Sequence, residues 1–568
     1  MKLPIILVAG IASLLGSTAA HATTYYLDNA TGTPSWSNFS NWTTDPANAG
    51  VNSGDAIPTI ADIATFNDTA LNATAATVTL DASQAALGIV VNTSGAVGLN
   101  AGTGGTANTL TLGASGITVA SASTLTIGAT PATAEPIVLA ASQSWANNNS
   151  GSNSIVINSA VSGSTVAGTT LTLAGSQNNT SGNNAINGVI SDGAGPLKIT
   201  MSGATNLRWY LYGANLYTGV TTVSDGGLTI GNPAALGATG AASGTTVASG
   251  ASVFFRTSIG TVAETLSIAG SGATAGTGAL RNVAGTNTWS GPISTSAAAT
   301  IGADAGQLTI SSDITSSTAL TFVQGNTSST GTIIVQGNIT GGSVTESQSA
   351  ATGSGALLTF STNAKTYSGI TTISGGVLTL NTSLPNTSTV NVNSAGTLRG
   401  NGGSINTAAL TSVNGTLSPG ATAGTIGTLS MGALSLSPGA AATFALDINT
   451  GVATPTHDTV SVTGNLTLGT TFNTALTVTD AGSVVLPVGT VIPFMTYTGT
   501  YNGGLFYVGG TAITDNGNTF AAGANFYQID YDGGTVALIG AGAVPEPATW
   551  MSLLGGCGTL LGFSRRRR

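Results

Sequence analysis

The stretch TLTLGASGITVASASTLTI, Thr109–Ile127, alternates apolar and small polar residues in three short runs. Leu110/Leu112, Ile117/Val119 and Leu125/Ile127 each place two apolar side chains on one face of a strand, because successive side chains of an extended chain point to opposite faces. Gly, Ala and Ser between the runs turn the chain at little steric cost. The pattern returns as SIVINS, TLTLAG, PLKIT, QLTISS, ALTFV and TIIVQG, and between the two ends of the chain no amphipathic helical stripe of ten or more residues interrupts it. An all-β body is expected. The first apolar residues of consecutive runs stand 7 and 8 positions apart, so three strands close a coil of about 22–24 residues that stacks on its neighbours through the backbone ladder.

Two segments repeat more closely. YTGVTTVSDGGLTI (Tyr217–Ile230) and YSGITTISGGVLTL (Tyr367–Leu380) agree at eight of fourteen positions. They resemble the autotransporter-associated β-strand repeat, and that resemblance implies a pertactin-like, right-handed parallel β-helix. A rod of stacked coils needs covered ends. At the N-terminal side YYLDNATGTPSWSNFSNW crowds Tyr25, Tyr26, Trp36, Phe39 and Trp42 into eighteen residues. This is either a lid on the first coil or a sugar-stacking platform, with Trp36 and Trp42 as the glycan contacts. After Pro438 the strands lengthen (ATFALDIN, ANFYQIDYD), which predicts a C-terminal antiparallel β-sandwich or cap. The division that results is a signal segment at 1–22, an N-terminal cap with the first coils at 23–105, solenoid repeats at 106–438, a C-terminal β domain at 439–541 and a tail at 542–568.

The two ends carry the clearest signals. MKLPIILVAGIASLLGSTAAHA has a positive start at Lys2, an apolar Leu3–Leu15 run and small residues at Ala20 and Ala22. It reads as a secretory signal helix cleaved before Thr23. At the other end Val544-Pro545-Glu546-Pro547 precedes the uncharged Ala548–Phe563 and then Arg565, Arg566, Arg567 and Arg568. Sixteen uncharged residues as a helix reach roughly 24 Å, at the short limit for crossing a bilayer core, and the arginines act as a stop-transfer block on the cytoplasmic side. The prolines hold Glu546 in an extended backbone. Extended tripeptide, apolar helix and arginine run together resemble the PEP-CTERM sorting signal of Gram-negative bacteria. That resemblance implies an exosortase as partner, which recognises Val544–Pro547 and removes the tail after a transient stay in the inner membrane. It also implies a place at the cell surface or outside it, among extracellular polysaccharide, biofilm and floc.

Composition narrows the chemistry. Charged residues are 5% of the chain, against about 25% in ordinary domains. Residues 23–544 hold six cations and 19 acidic residues, a formal charge of −13, which argues against nucleic acid as a partner. The one cysteine, Cys557, lies in the tail, so burial and backbone hydrogen bonds alone must hold the body. The body's one histidine, His457, has no second histidine or cysteine with which to bind metal. Asp55, Asp62 and Asp68 lack the spacing of known calcium loops, and Asp532-Gly533 suits a hairpin turn better than acid–base work. No cofactor is implied. Arg208, Tyr210 and Tyr212 share one strand face by the period of two, a glycan contact or a plain cross-strand ladder. The expectation is a non-enzymatic exported surface or matrix protein associated with polysaccharide; the alternative is a polysaccharide lyase or hydrolase on the same scaffold.

Overall fold

The computed structural model describes residues 22–28, 34–47, 55–67, 76–102, 108–120, 123–129, 135–149, 154–164, 168–176, 184–324, 331–348 and 357–544. Ala20 with the expected signal helix, Pro545–Pro547, the expected membrane-crossing sorting helix and Arg565–Arg568 lie outside them. Ala22 is exposed and precedes the first strand. Among the described residues no helix is long and apolar enough to cross a membrane. The one helical element among them is a single 3-10 turn at Phe39–Asn41.

The described chain is all-β and winds as a parallel solenoid. Alternation decides it: every second residue of each short strand points inward, and the inward residues stack in register from coil to coil. One column runs Ile89, Ile117, Trp145, Leu173, Met201, Val223, Val247 and Ile268, all buried and each paired with the next in parallel. A second runs Leu99, Ile127, Ile157, Ile186, Leu211, Ile230 and Phe255. The coils are less uniform than the spacing predicts. Leu211 and Ile230 are 19 residues apart and Ile127 and Ile157 are 30 apart, yet both pairs are in register. Ladder pairing constrains only the strands, so corners absorb the difference.

Both copies of the close repeat adopt one local structure. Tyr217 and Tyr367 are fully buried, with their hydroxyls 2.7 Å from Thr221 Oγ1 and 2.6 Å from Thr371 Oγ1. Gly226 and Gly376, nine residues after each tyrosine, take φ of 67° and 75°, a region other residues enter at a cost. Charge also enters the stack. Lys365 is buried, and its Nζ donates to the carbonyls of Gln336, Gly337, Ser361 and Asn363 at 2.7–3.2 Å.

Nine strands position the candidate site and the C-terminal cap: β1 (Arg208–Leu211), β2 (Gly226–Ile230), β3 (Ala251–Phe255), β4 (Leu280–Asn282), β5 (Ile293–Ala303), β6 (Val491–Tyr497), β7 (Phe520–Ala522), β8 (Asn525–Asp530) and β9 (Thr535–Ala543). β1 to β5 are successive rungs of one face, paired in parallel. The boundary expected at 438/439 is absent from the ladder. Ala442–Asn449 pairs in parallel with Thr416–Pro419 on one side and with Thr474–Asp480 on the other. A short antiparallel contact joins Ala442–Asn449 to Thr456–His457, and the antiparallel sheet of the cap starts at β6, which is parallel to Thr459–Val462 at one edge and antiparallel to β9 at the other. β9, β8 and β7 then continue antiparallel. The C-terminal element is thus a cap on the last coils rather than a separate sandwich, and it covers the edge that a parallel stack would leave unpaired.

Candidate functional site

Two of the N-terminal aromatics are packed away from solvent. Trp36 and Trp42 are fully buried, edge to face at 4.8 Å, and Trp42 packs on Phe66 at 6.0 Å. Trp42 Nε1 donates to the Trp36 carbonyl at 3.0 Å. A stacking platform must present an open ring face, and neither indole has one. The assignment of Trp36 and Trp42 as glycan contacts is therefore corrected: they close the first coil.

Arg208, Tyr210 and Tyr212 do share an outward face, as the period of two predicts, and the fold adds partners to them. Register sets Tyr210 beside Thr229, Thr229 beside Phe254 and Phe254 beside Arg281. The Arg208 guanidinium lies over the Phe254 ring, 4.4 Å from its centroid, with those of Arg256 and Arg281 at 5.8 Å. Arg281 is neutralised: Nε and Nη2 grip the Asp304 carboxylate at 2.6–3.2 Å. Among the described residues Arg208 and Arg256 meet no carboxylate, and the Nε of each is buried without a hydrogen-bond partner. Thr229 Oγ1, between Tyr210 and Phe254, is likewise buried and unpartnered. Burial, reinforced by the charge of Arg256, brings the Arg208 pKa down to about 10, still cationic at neutral pH. Tyr210 and Tyr212 stack at 5.9 Å with planes 11° apart; Tyr210 is buried and Tyr212 is 46% exposed. Gly227 and Gly231 make this possible, since a Cβ at either would enter the Phe254 or the Tyr212 ring.

Sequence reasoning found three members of this cluster and missed Phe254, Arg256, Arg281 and Asp304. One signal was available. The body has six cations, and three of them, Arg208, Arg256 and Arg281, fall in this stretch of a few coils.

Other candidates stay apart. The Asp458 carboxylate accepts the N–H groups of Gly427 and Asp447, both at 2.8 Å, while His457 Nδ1 faces the Asp458 backbone carbonyl, so the two form no dyad. Asp515, Asp530 and Asp532 approach within 4.8 Å, where Asp515 accepts the Tyr531 N–H and Asp530 the Asp532 N–H. Asp532-Gly533 turns the β8–β9 hairpin, with φ of 67° at Gly533. Asp62 caps its own turn through Thr59, and Asp68 lies outside the described residues. A groove of about 320 Å³ on the later coils is lined by Ser383, Ser404, Asn406, Thr407, Ser430 and Thr463 with Pro385, Ile405 and Met431. These side chains can hydrogen-bond a polar ligand and bring no titratable group to it.

The sorting end meets the rod directly. β9 runs to Ala543, and the Val544 N–H donates to the Ala524 carbonyl at 2.9 Å as the chain leaves the cap. A family model, the PEP-CTERM protein-sorting motif, matches residues 543–568. No curated protein matches the chain. The motif indicates an exported protein sorted by an exosortase, carried through the membrane to the surface of a Gram-negative cell.

Proposed function

We propose that the protein is a non-enzymatic surface or matrix rod, held to the exosortase route by its tail and associated with extracellular polysaccharide in adhesion or biofilm. The observation that carries this reading is the junction at Ala543: the sorting motif begins on the last residue of β9, a strand of the cap, so whatever holds the motif holds the solenoid. The uncharged, hydroxyl-lined groove supports a binding rather than a reacting surface. The likeness of the Tyr217 and Tyr367 segments to autotransporter-associated repeats belongs to the same reading.

Deletion of residues 545–568 tests it. The truncated chain is expected to leave the cell surface and appear in the medium, with a mature mass no longer set by tail removal. Unchanged surface retention together with an unchanged mature mass would overturn the reading. Intact-mass measurement and cell fractionation read both.

A further inference from the structure

We infer that the Arg208–Arg256–Tyr212 face binds an acidic polysaccharide, with the anionic group of one sugar between Arg208 and Arg256 and its ring on Tyr212. The inference rests on the polysaccharide association proposed above and gives it a place and a chemical class. Three observations converge. First, half of the body's six cations gather around one phenylalanine, and Asp304 neutralises only one of them. Arg208 is 5% exposed. Keeping such a guanidinium without a counter-charge is costly for folding alone, since a buried charge needs a partner. Second, the ring of Tyr212 is 46% exposed and lies over Gly231 beside the near-parallel ring of Tyr210, an arrangement that stacks a flat ligand at small entropic cost. Third, Gly227 and Gly231 leave the floor of the face free of side chains, so the rings lie flat on the sheet.

The ligand class follows from these groups. Two guanidiniums a few ångströms from one ring suit a single carboxylate or sulfate, which they can hold by charge-assisted hydrogen bonds. Around them stands a body of charge −13, which gives no long-range attraction to a polyanion and leaves recognition to the local pair of guanidiniums. A uronate and a sulfate ester share the chemistry that the site reads.

The test is affinity electrophoresis of the purified full chain in gels containing polygalacturonate, dextran sulfate or neutral dextran. Retardation by polygalacturonate, by dextran sulfate or by both is expected, with none by dextran; the two arms separate a uronate from a sulfate source. Retardation should fade near 1 M salt, where the screening length is about 3 Å. Arg256→Gln and Tyr212→Ala are each expected to weaken binding roughly tenfold with an unchanged melting midpoint, and Arg256→Lys to weaken it less. Arg256 and Tyr212 are chosen because both reach the surface, so their loss leaves the core intact. Binding that survives both substitutions, or retardation by dextran alone, would overturn the site. Binding to the polysaccharide of the native matrix that ignores both substitutions overturns the site and leaves the parent reading standing. Failure to bind any polysaccharide overturns both.

Discussion

Glu264 and Glu346 sit where carboxylates cost most. Glu346 points into the stack between Phe322 and Ile373, and neither of its oxygens has a partner. Glu264 accepts one bond from Thr245 Oγ1 at 3.3 Å and leaves Oε2 unpaired. Burial pushes Glu264 up to about 8 from its ordinary 4.5 and Glu346 well above that ordinary value. Glu264 is therefore a carboxylic acid at neutral pH, and the sign of the linkage is fixed. Between pH 4.5 and 8 the folded chain keeps a proton on Glu264 that the unfolded chain has lost, so stability falls as pH rises through that window. Glu264→Gln is expected to match the parent at about pH 4 and to exceed it by a few kcal/mol above pH 8. Urea titrations at both pH values read this difference; a pH-independent gap would show that Glu264 is ionised in the fold.

At the scale of the element, corners limit the stack more than strands do. Gly341 takes φ of 103° directly above Ser316, and a Cβ there would run into the Ser316 carbonyl oxygen. Gly402 has φ of 75° with open space around it. Alanine at Gly402 thus meets only the left-handed backbone cost of about 1 kcal/mol, whereas alanine at Gly341 adds a backbone collision and should cost at least twice as much. Melting midpoints of the two variants decide it, and equal losses would refute the close coil contact. Strand pairs such as Leu110/Leu112 and the twin Tyr217 and Tyr367 segments were legible because alternation and repetition are local. The fate of Trp36 was not. Composition marks an aromatic cluster, and only its burial against Trp42, itself packed on Phe66, says that the ring faces inward.

For the whole molecule the register gives a sharper prediction. Val223 sits directly on Val247, and Leu211, Ile230 and Phe255 stack in turn. Removing residues 224–247 takes out one full coil and joins Val223 to Ala248 in the place of Val247. Each coil contacts its neighbours only, so the shortened chain should still fold and resist protease. Removing residues 224–235 leaves a half coil, turns every later inward residue away from its column and should yield a protease-sensitive chain. Limited proteolysis of the two deletions checks this, and equal resistance would mean that the columns are not what holds the rod.

The sequence by itself determined that the body is β, that it repeats, and that its tail is a sorting signal, because alternation, spacing and the Val544–Pro547 order are properties of neighbouring residues. Tertiary structure alone decided where the repeat stops being parallel, that β9 runs into the first residue of the motif, and that Arg208, Arg256 and Arg281 meet around Phe254. Those arginines are separated by whole coils along the chain. Coil length varies from corner to corner, so no fixed period in the sequence reveals which of them share a face.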